Sequence, residues 1–369
     1  MRGLSQDLFR ATVADAGVFS GLGESRWPEL AERASQEGVA GMLYQRCLSF
    51  GIRLPKDQYL AMGACYRRTA AENFLALREL AEILADMESA GVDILLMPGA
   101  CLLPMYPDIG CRPMDDIDLL VHAGSAQAAR EVLLSRGYEC PPRHSDLFEG
   151  KYTVVDLHTD LLNSGRIRAR KRSGWLDAKE VWGDCREAVV DGVSVQAMGM
   201  EDALLYTAVH GMKHSFSRLN WLLDLHFIMG ADLDWDLVQQ KAGRYRLSRA
   251  LAYGLNCLAQ LQDRKMPVRA VEHLRSFRLG RVERWLLMKM CADRPYCDWG
   301  EVLRVFNCGG RIKGAAFLLE FFFPRPAVLL QVFPALPRAL FPLAYGLRLG
   351  QLCLRGGAQF IGGVRRHRR

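Results

Sequence analysis

The chain has 369 residues, 50% of them hydrophobic and 24% charged, with a formal net charge of +7. That balance excludes a disordered or fibrous protein and is enough for two or three packed regions. The positive excess is uneven: no acid follows Glu320, while Arg325, Arg338, Arg348, Arg355, Arg365, Arg366, Arg368 and Arg369 do, which suits either a solvated tail or contact with an anionic surface.

Residues 1–90 read as helical. Over 58–91 apolar residues recur at helical spacing, and Gly91 supplies a stop. The period changes at VDILLMPG (92–99), a short apolar run ending in Pro-Gly that reads as a buried strand and tight turn. ACLLPMY suits a short helix, and DIDLLVH (116–122) a second strand. Residues 125–138 read as a helix with Ser125 at the N-cap and Gly137 at C′. KYTVVDLHTDL (151–161), rich in β-branched residues, reads as a third strand. From 200 onward helical segments return, beginning with MEDALLYTAVHGMKHSF and RLNWLLDLHFIMG. There is no internal repeat.

The most hydrophobic stretch, 317–347, is broken by Pro324, Pro326, Pro334, Pro337 and Pro342 and by Arg325 and Arg338. A spanning helix needs roughly 18 apolar residues with few interruptions, so short helices packed on the body are expected, with weak membrane-surface contact of 317–369 as the alternative. The opening MRGLSQDLFR has no signal-peptide pattern. The eleven cysteines are scattered without a Cys-x-x-Cys, which suits reduced thiols in a cytosol and a cytoplasmic location, peripheral at the inner membrane face if the tail binds lipid.

The chemistry concentrates on CRPMDDIDLLVH (111–122). Side chains alternate along a strand, so Asp116 and Asp118 share a face while Asp115 points away. Residues two apart lie about 6.6 Å apart along the axis, near enough for two carboxylates to converge on one hard cation. Magnesium takes oxygen ligands and commonly keeps substrate phosphates among them, so an Asp-x-Asp at a strand mouth suits phosphoryl or nucleotidyl transfer. On the third strand Val154, Asp156 and His158 share a face, and a carboxylate in an apolar strand needs a charge partner or a metal. If the two strands pair, Asp116, Asp118 and Asp156 meet. Three carboxylates can hold two cations ~3.5–4 Å apart, Asp156 is the natural base for an incoming nucleophile, and His158 could orient it. In the MPGA turn, Gly99 with Ala100 lets backbone N–H groups approach a phosphate.

The segments LLMPGACLLPMYPDIGCRPMDDIDLLV, VDLH and HGMKHSFSRLNWLLDL together resemble the uncharacterised bacterial nucleotidyltransferase family of the DNA polymerase β-like superfamily, well over residues 90–240 and loosely beyond. The resemblance implies an α+β fold: a small mixed-sheet nucleotidyltransferase core flanked by N-terminal and C-terminal helical regions. It puts Gly99 on the turn, Asp116 and Asp118 on the paired metal ligands and Asp156 on the third carboxylate. The family's turn usually reads Lys-Gly, where this chain has Pro98-Gly99, so one phosphate-neutralising cation is missing there.

Arg112 could reach a triphosphate or pair with Asp115 or Asp108. Tyr206, His210 and His214 recur four apart and share a helix face with Lys213 nearby, a stripe that could bind phosphates or the acceptor; it is not a zinc-protease motif, since Gly211 stands where that motif needs Glu. Asp224 is expected to pair with Lys213 or Arg218, and the Trp and Phe residues of 221–228 to be core rather than a base-stacking platform. The expected organisation is a helical region at 1–90, the α/β core at 91–198, a helical substrate- or phosphate-binding region at 199–310 and a hydrophobic, basic region at 311–369. The expected activity is magnesium-dependent transfer of a nucleoside monophosphate from a nucleoside triphosphate such as ATP to an acceptor (a small molecule, sugar phosphate, protein or peptide), with no specific nucleic-acid partner. The alternative is a catalytically degenerate core serving as an accessory or binding module.

Overall fold

The computed structural model describes residues 3–354 apart from 14–15, 142–145, 163–169, 263–265, 293–298, 327, 330–336, 338–339 and 351–353. The terminal arginines from Arg355 onward, and Arg338, lie outside the described residues. The N-terminal region is helical as expected: α1 (Leu4–Val13), α2 (Trp27–Gln36), α3 (Ala40–Ser49) and α4 (Lys56–Ser89). The 34-residue α4 ends two residues before Gly91, whose φ of +68° reverses the chain at low cost.

The core follows as β1 (Ile94–Leu96), β2 (Ile117–Val121), α5 (Ala126–Ser135), β3 (Leu147–Glu149), β4 (Val154–His158), α6 (Arg170–Ser173), α7 (Ala178–Gly183), β5 (Arg186–Val190) and β6 (Val193–Ala197). The strands form one mixed six-stranded sheet in the order β3-β4-β2-β1-β6-β5. β1 runs antiparallel to β2 and parallel to β6, and β2 runs parallel to β4. Ile94, Leu95 and Leu96 are all buried, as expected of a central strand covered on both faces.

The strands differ from the sequence expectation in extent and number. β1, β2 and β4 are shorter than expected, and Asp116 falls just outside β2. Strands β3, β5 and β6 carry no expectation from the sequence. The turn joining β5 to β6 is Asp191-Gly192, with φ of +45° and +85°, the backbone of a type I′ hairpin, for which Asp-Gly is a preferred pair. Ser125 does sit before α5, but its side chain makes no capping bond; Gly137 closes the helix with φ +84°.

The chain then returns to helices: α8 (Met200–Lys213), α9 (Leu219–Met229), α10 (Trp235–Arg244), α11 (Ser248–Leu261), α12 (Val268–Ser276), α13 (Arg281–Ala292), α14 (Gly300–Asn307) and α15 (Arg311–Phe322). One apolar core runs from Leu8 through the sheet to Leu303, and Cys308 and Phe317 start a separate small cluster. Within the 317–347 stretch Phe317 and Leu329 are fully buried, while Leu319 and Leu343 are 65% and 59% exposed. Among the described residues no helix is long and apolar enough to cross a membrane, and every described cysteine is a free thiol.

Candidate active site

The parallel pairing of β2 with β4 sets Asp118 directly beside Asp156, and Leu120 beside His158. Alternation therefore turns Asp118, Asp156 and His158 to one face, while Ile117, Leu119, Val155 and Leu157 are buried on the other. Ligand atoms of Asp118, Asp156 and His158 all lie within 4.8 Å of one another.

His158 sits differently from its expected place beside Asp156 alone. Its Nε2 lies 2.7 Å from Asp118 Oδ1 and 3.4 Å from Asp156 Oδ2, so it bridges the two carboxylates and leans on Asp118. Burial works against charge on this ring, but its hydrogen bonds to Asp118 and then Asp156 outweigh burial and push it up to about 10. His158 is thus an imidazolium that supplies counter-charge to two facing carboxylates.

Asp116 stands at the rim, in contact with solvent and outside the tight cluster of three. Protein still crowds the carboxyl on its inner side. Burial there, followed by the charges of Asp118, Asp156 and Asp115, pushes it up to about 6. Carboxylates forced together in this way are short of positive charge. The donor set fits a hard divalent cation: carboxylate oxygens from two neighbouring strands, with open space beside them. His158 would have to give up its proton to become a ligand itself.

Helix α8 crosses in front of this cluster. Its stripe of Tyr206, His210 and His214 divides the space into two recesses. The first, of about 180 Å³, is bordered by Pro98, Gly99, Arg112, Asp116, Asp118, Arg218 and Trp221 as well as the stripe. The second, of about 170 Å³, is bordered by Asp116, Asp118, Asp156, His158, Leu161, Leu162, Lys213 and Arg304 and again by the stripe. Asp116 and Asp118 belong to both. Burial first, then the charges of His214 and Lys213, hold His210 well below the usual histidine range, so it is neutral. Burial, then Asp118, drives the Tyr206 hydroxyl well above its ordinary value.

Gly99 adopts φ +142°, ψ −97°, a conformation that other residues rarely adopt, at the N-cap of the short 3-10 helix Ala100–Met105, the short helix expected of ACLLPMY. A Cβ there would meet nothing within 4 Å, so the backbone at this corner is open to the first recess. Ala100 is buried behind it.

Arg112 pairs with neither Asp115 nor Asp108. Its Nε and Nη2 donate to Asp224 Oδ1 and Oδ2 at 2.8 and 2.9 Å, and Tyr106 donates to Asp224 Oδ1 at 2.7 Å. Asp224 therefore pairs with neither Lys213 nor Arg218. Asp108 instead accepts from the Gly110 backbone N–H at 2.9 Å, and Asp115 pairs with Arg218 and, contrary to the expectation that it points away, borders the first recess with Asp116 and Asp118. The buried Arg112–Asp224 pair pins the loop ahead of β2 to α9, which fixes the aspartates at the strand mouth. Arg112 still borders the first recess, with two of its N–H groups committed to Asp224.

Trp221 departs from the expectation of core packing. It is half-buried, borders the first recess, and its ring lies 5.0 Å from His214 and 5.9 Å from His210. Sequence reasoning also missed Arg304 of α14 and gave Arg218 a different partner. Arg304 could not be found, because nothing along the chain announces that α14 returns to α8. That return depends on Gly300, whose Cβ, if it had one, would lie 1.8 Å from the Met212 carbonyl oxygen; its N–H donates to Ser215 Oγ at 2.9 Å.

Two solved structures are distantly similar to part of this chain. One is a solution structure of the antibiotic-resistance factor ANT(2'')-Ia, 14% identical, covering 47% of this chain and 91% of that chain at a TM-score of 0.36. The other is a crystal structure of an antigenic nucleotidyltransferase-like protein from Paracoccidioides brasiliensis, 16% identical, with the same coverage and a TM-score of 0.33. Comparison with curated proteins gives no match. Residues 23–263, well over half of the chain, match the family described as uncharacterised nucleotidyltransferase, and the chain belongs to that family.

Proposed function

We propose that the protein transfers a nucleoside monophosphate from a nucleoside triphosphate to an acceptor, with release of pyrophosphate, and that it uses a divalent cation held by Asp116, Asp118 and Asp156. The observation that carries this reading is the side-by-side register of Asp118 and Asp156 at the junction of two recesses, in a chain of the nucleotidyltransferase family.

The first recess suits the nucleotide. Its Gly99 corner offers backbone to phosphates, and Arg112 and Arg218 border the same recess, each already paired with a carboxylate, Asp224 and Asp115. Magnesium bound between the carboxylates would neutralise the charge that develops on the reacting phosphate. Asp156 lies at the second recess, where it can take the proton of an acceptor hydroxyl. His158 holds Asp118 and Asp156 in one orientation through its two contacts.

The test is Asp118→Asn. The variant is expected to keep its fold and to lose magnesium-dependent release of pyrophosphate from each of the four common nucleoside triphosphates. Unchanged release would sink the assignment. The accessory-module reading is favoured by Pro98 alone, and calorimetry decides it: no heat of binding from any magnesium–nucleotide would favour a degenerate core. Exposed Ile312, Leu319, Leu343 and Leu347 support weak membrane-surface contact of the C-terminal helices, which flotation with anionic liposomes at low salt would exclude by its failure.

A further inference from the structure

We infer that the second recess takes an acceptor that carries an anionic group as well as the hydroxyl that reacts, a phosphate or carboxylate held by Lys213 and Arg304. This rests on the nucleotidyl-transfer reading above.

In-line displacement brings the attacking oxygen and the leaving pyrophosphate to opposite sides of one phosphorus. The two recesses meet at Asp116 and Asp118, so two substrates can approach a phosphate lodged there from two sides. Asp156 borders only the second recess, which assigns that recess to the acceptor. The acceptor oxygen forms a bond to the α-phosphorus as the bond from that phosphorus to the bridging oxygen of pyrophosphate breaks. The hydroxyl proton passes to Asp156.

The rest of this recess is chemically divided. Leu161, Leu162 and Val209 give an apolar strip, and Lys213 and Arg304 bring two cations. Arg304 is 2% exposed. Its Nε lies 3.5 Å from Glu301 Oε2, but Glu301 is not among the residues that border the recess. A forked cation at a recess wall matches phosphate or carboxylate geometry. The recess is mixed in sign, with Asp116, Asp118 and Asp156 at the reacting end, so the acceptor's anionic group belongs beside Lys213 and Arg304 and its hydroxyl beside Asp156. At about 170 Å³ the space admits a small acceptor group.

The experiment uses the full chain with magnesium and a non-hydrolysable ATP analogue, and reads binding of glycerol 3-phosphate, glycerate and glycerol by saturation-transfer NMR. Both anions are expected to bind more tightly than glycerol, and the stronger of the two names the anion. Lys213→Gln, at a half-buried site that should tolerate it, weakens anion binding by about tenfold, the loss of one charge-assisted hydrogen bond. Arg304→Lys keeps the charge, loses the fork, and weakens binding by about threefold or more. The affinity for the ATP analogue should change by less than about twofold in both variants. Glycerol binding as tightly as the anions would overturn the inference, as would variants that bind them unchanged. So would a parallel loss of ATP-analogue affinity, which would give the two cations to the triphosphate. If the anions bind and neither the ATP analogue nor the corresponding analogues of the other three common nucleoside triphosphates bind, the anion site stands and the nucleotidyl-transfer reading falls.

Discussion

Replacing Asp224 with leucine should cost the protein about 3–5 kcal/mol, the usual penalty for removing one partner of a buried ion pair. The carboxylate receives two N–H bonds from Arg112 and one O–H bond from Tyr106, and the Arg112 and Asp224 side chains are only 9% and 3% exposed. Burial alone would push Arg112 towards neutrality, yet Asp224 holds it firmly charged. Once the carboxylate is gone, the guanidinium must stay charged in a dry site or drag the loop 109–116 outward. Either outcome removes a large share of a total stability that is typically about 5–15 kcal/mol. Urea unfolding read by circular dichroism measures the loss, and nucleotide affinity should fall with it, because that loop carries Asp116 to the recess. The double variant Arg112→Leu with Asp224→Leu should recover most of the stability, since no charge is then stranded. A single variant costing under about 1 kcal/mol, or a double variant as costly as the single, would refute the reasoning.

Gly300→Ala sets a methyl 1.8 Å from a backbone oxygen, so it should cost about 1–3 kcal/mol as α14 is pushed away; a thermal melt matching the parent protein would show that α14 does not dock so closely. Gly99→Ala meets no steric obstacle but must hold φ +142°, so it should lose about 1–3 kcal/mol through backbone strain, with weaker magnesium–nucleotide binding by calorimetry. Glu283, buried at 3% exposure, accepts from Arg249 and the Gly280 N–H at 2.7 Å each and from Tyr253. Burial would raise this carboxyl, but the bonds from Tyr253, Gly280 and Arg249 outweigh it and hold the group below its ordinary 4.5. A depressed carboxylate contributes stability above its unfolded pKa and loses it as pH falls through the folded value. Glu283→Gln should therefore unfold more readily than the parent at neutral pH by about 2 kcal/mol, and melting curves should converge as the pH drops below 4.5; a gap independent of pH would contradict this.

Local patterns carried much of the fold. Helix α4, strand β2 and the same-face arrangement of Asp156 and His158 are visible in residue spacing, because periods of 3.6 and 2 depend only on neighbours along the chain. The Asp191-Gly192 pair that turns β5 into β6 is also a local signal, since its backbone needs depend only on those two residues. Pairings across long separations were not legible. Arg112 had two plausible acids within four residues and chose Asp224, on a helix more than a hundred residues on, because tertiary packing placed that carboxylate nearer. His158 leaned towards Asp118 rather than Asp156 for the same kind of reason: strand register, not sequence adjacency, decides which oxygen is closest.

The close seat of α14 on the end of α8 has a consequence for how such a protein can diversify. The three aspartates, His158 and the α8 stripe all lie within residues 23–263, the part matched by the family, whereas Gly300 and Arg304 lie beyond it. On the proposed reading, the reacting carboxylates and Lys213 lie on the family-matched length of chain, and Arg304 lies on the segment that follows it. Exchanging the segment after 263 for a different helical cap would remodel what that recess admits without touching the carboxylates, so a chimaera could inherit its reaction from one parent and its choice of acceptor from another.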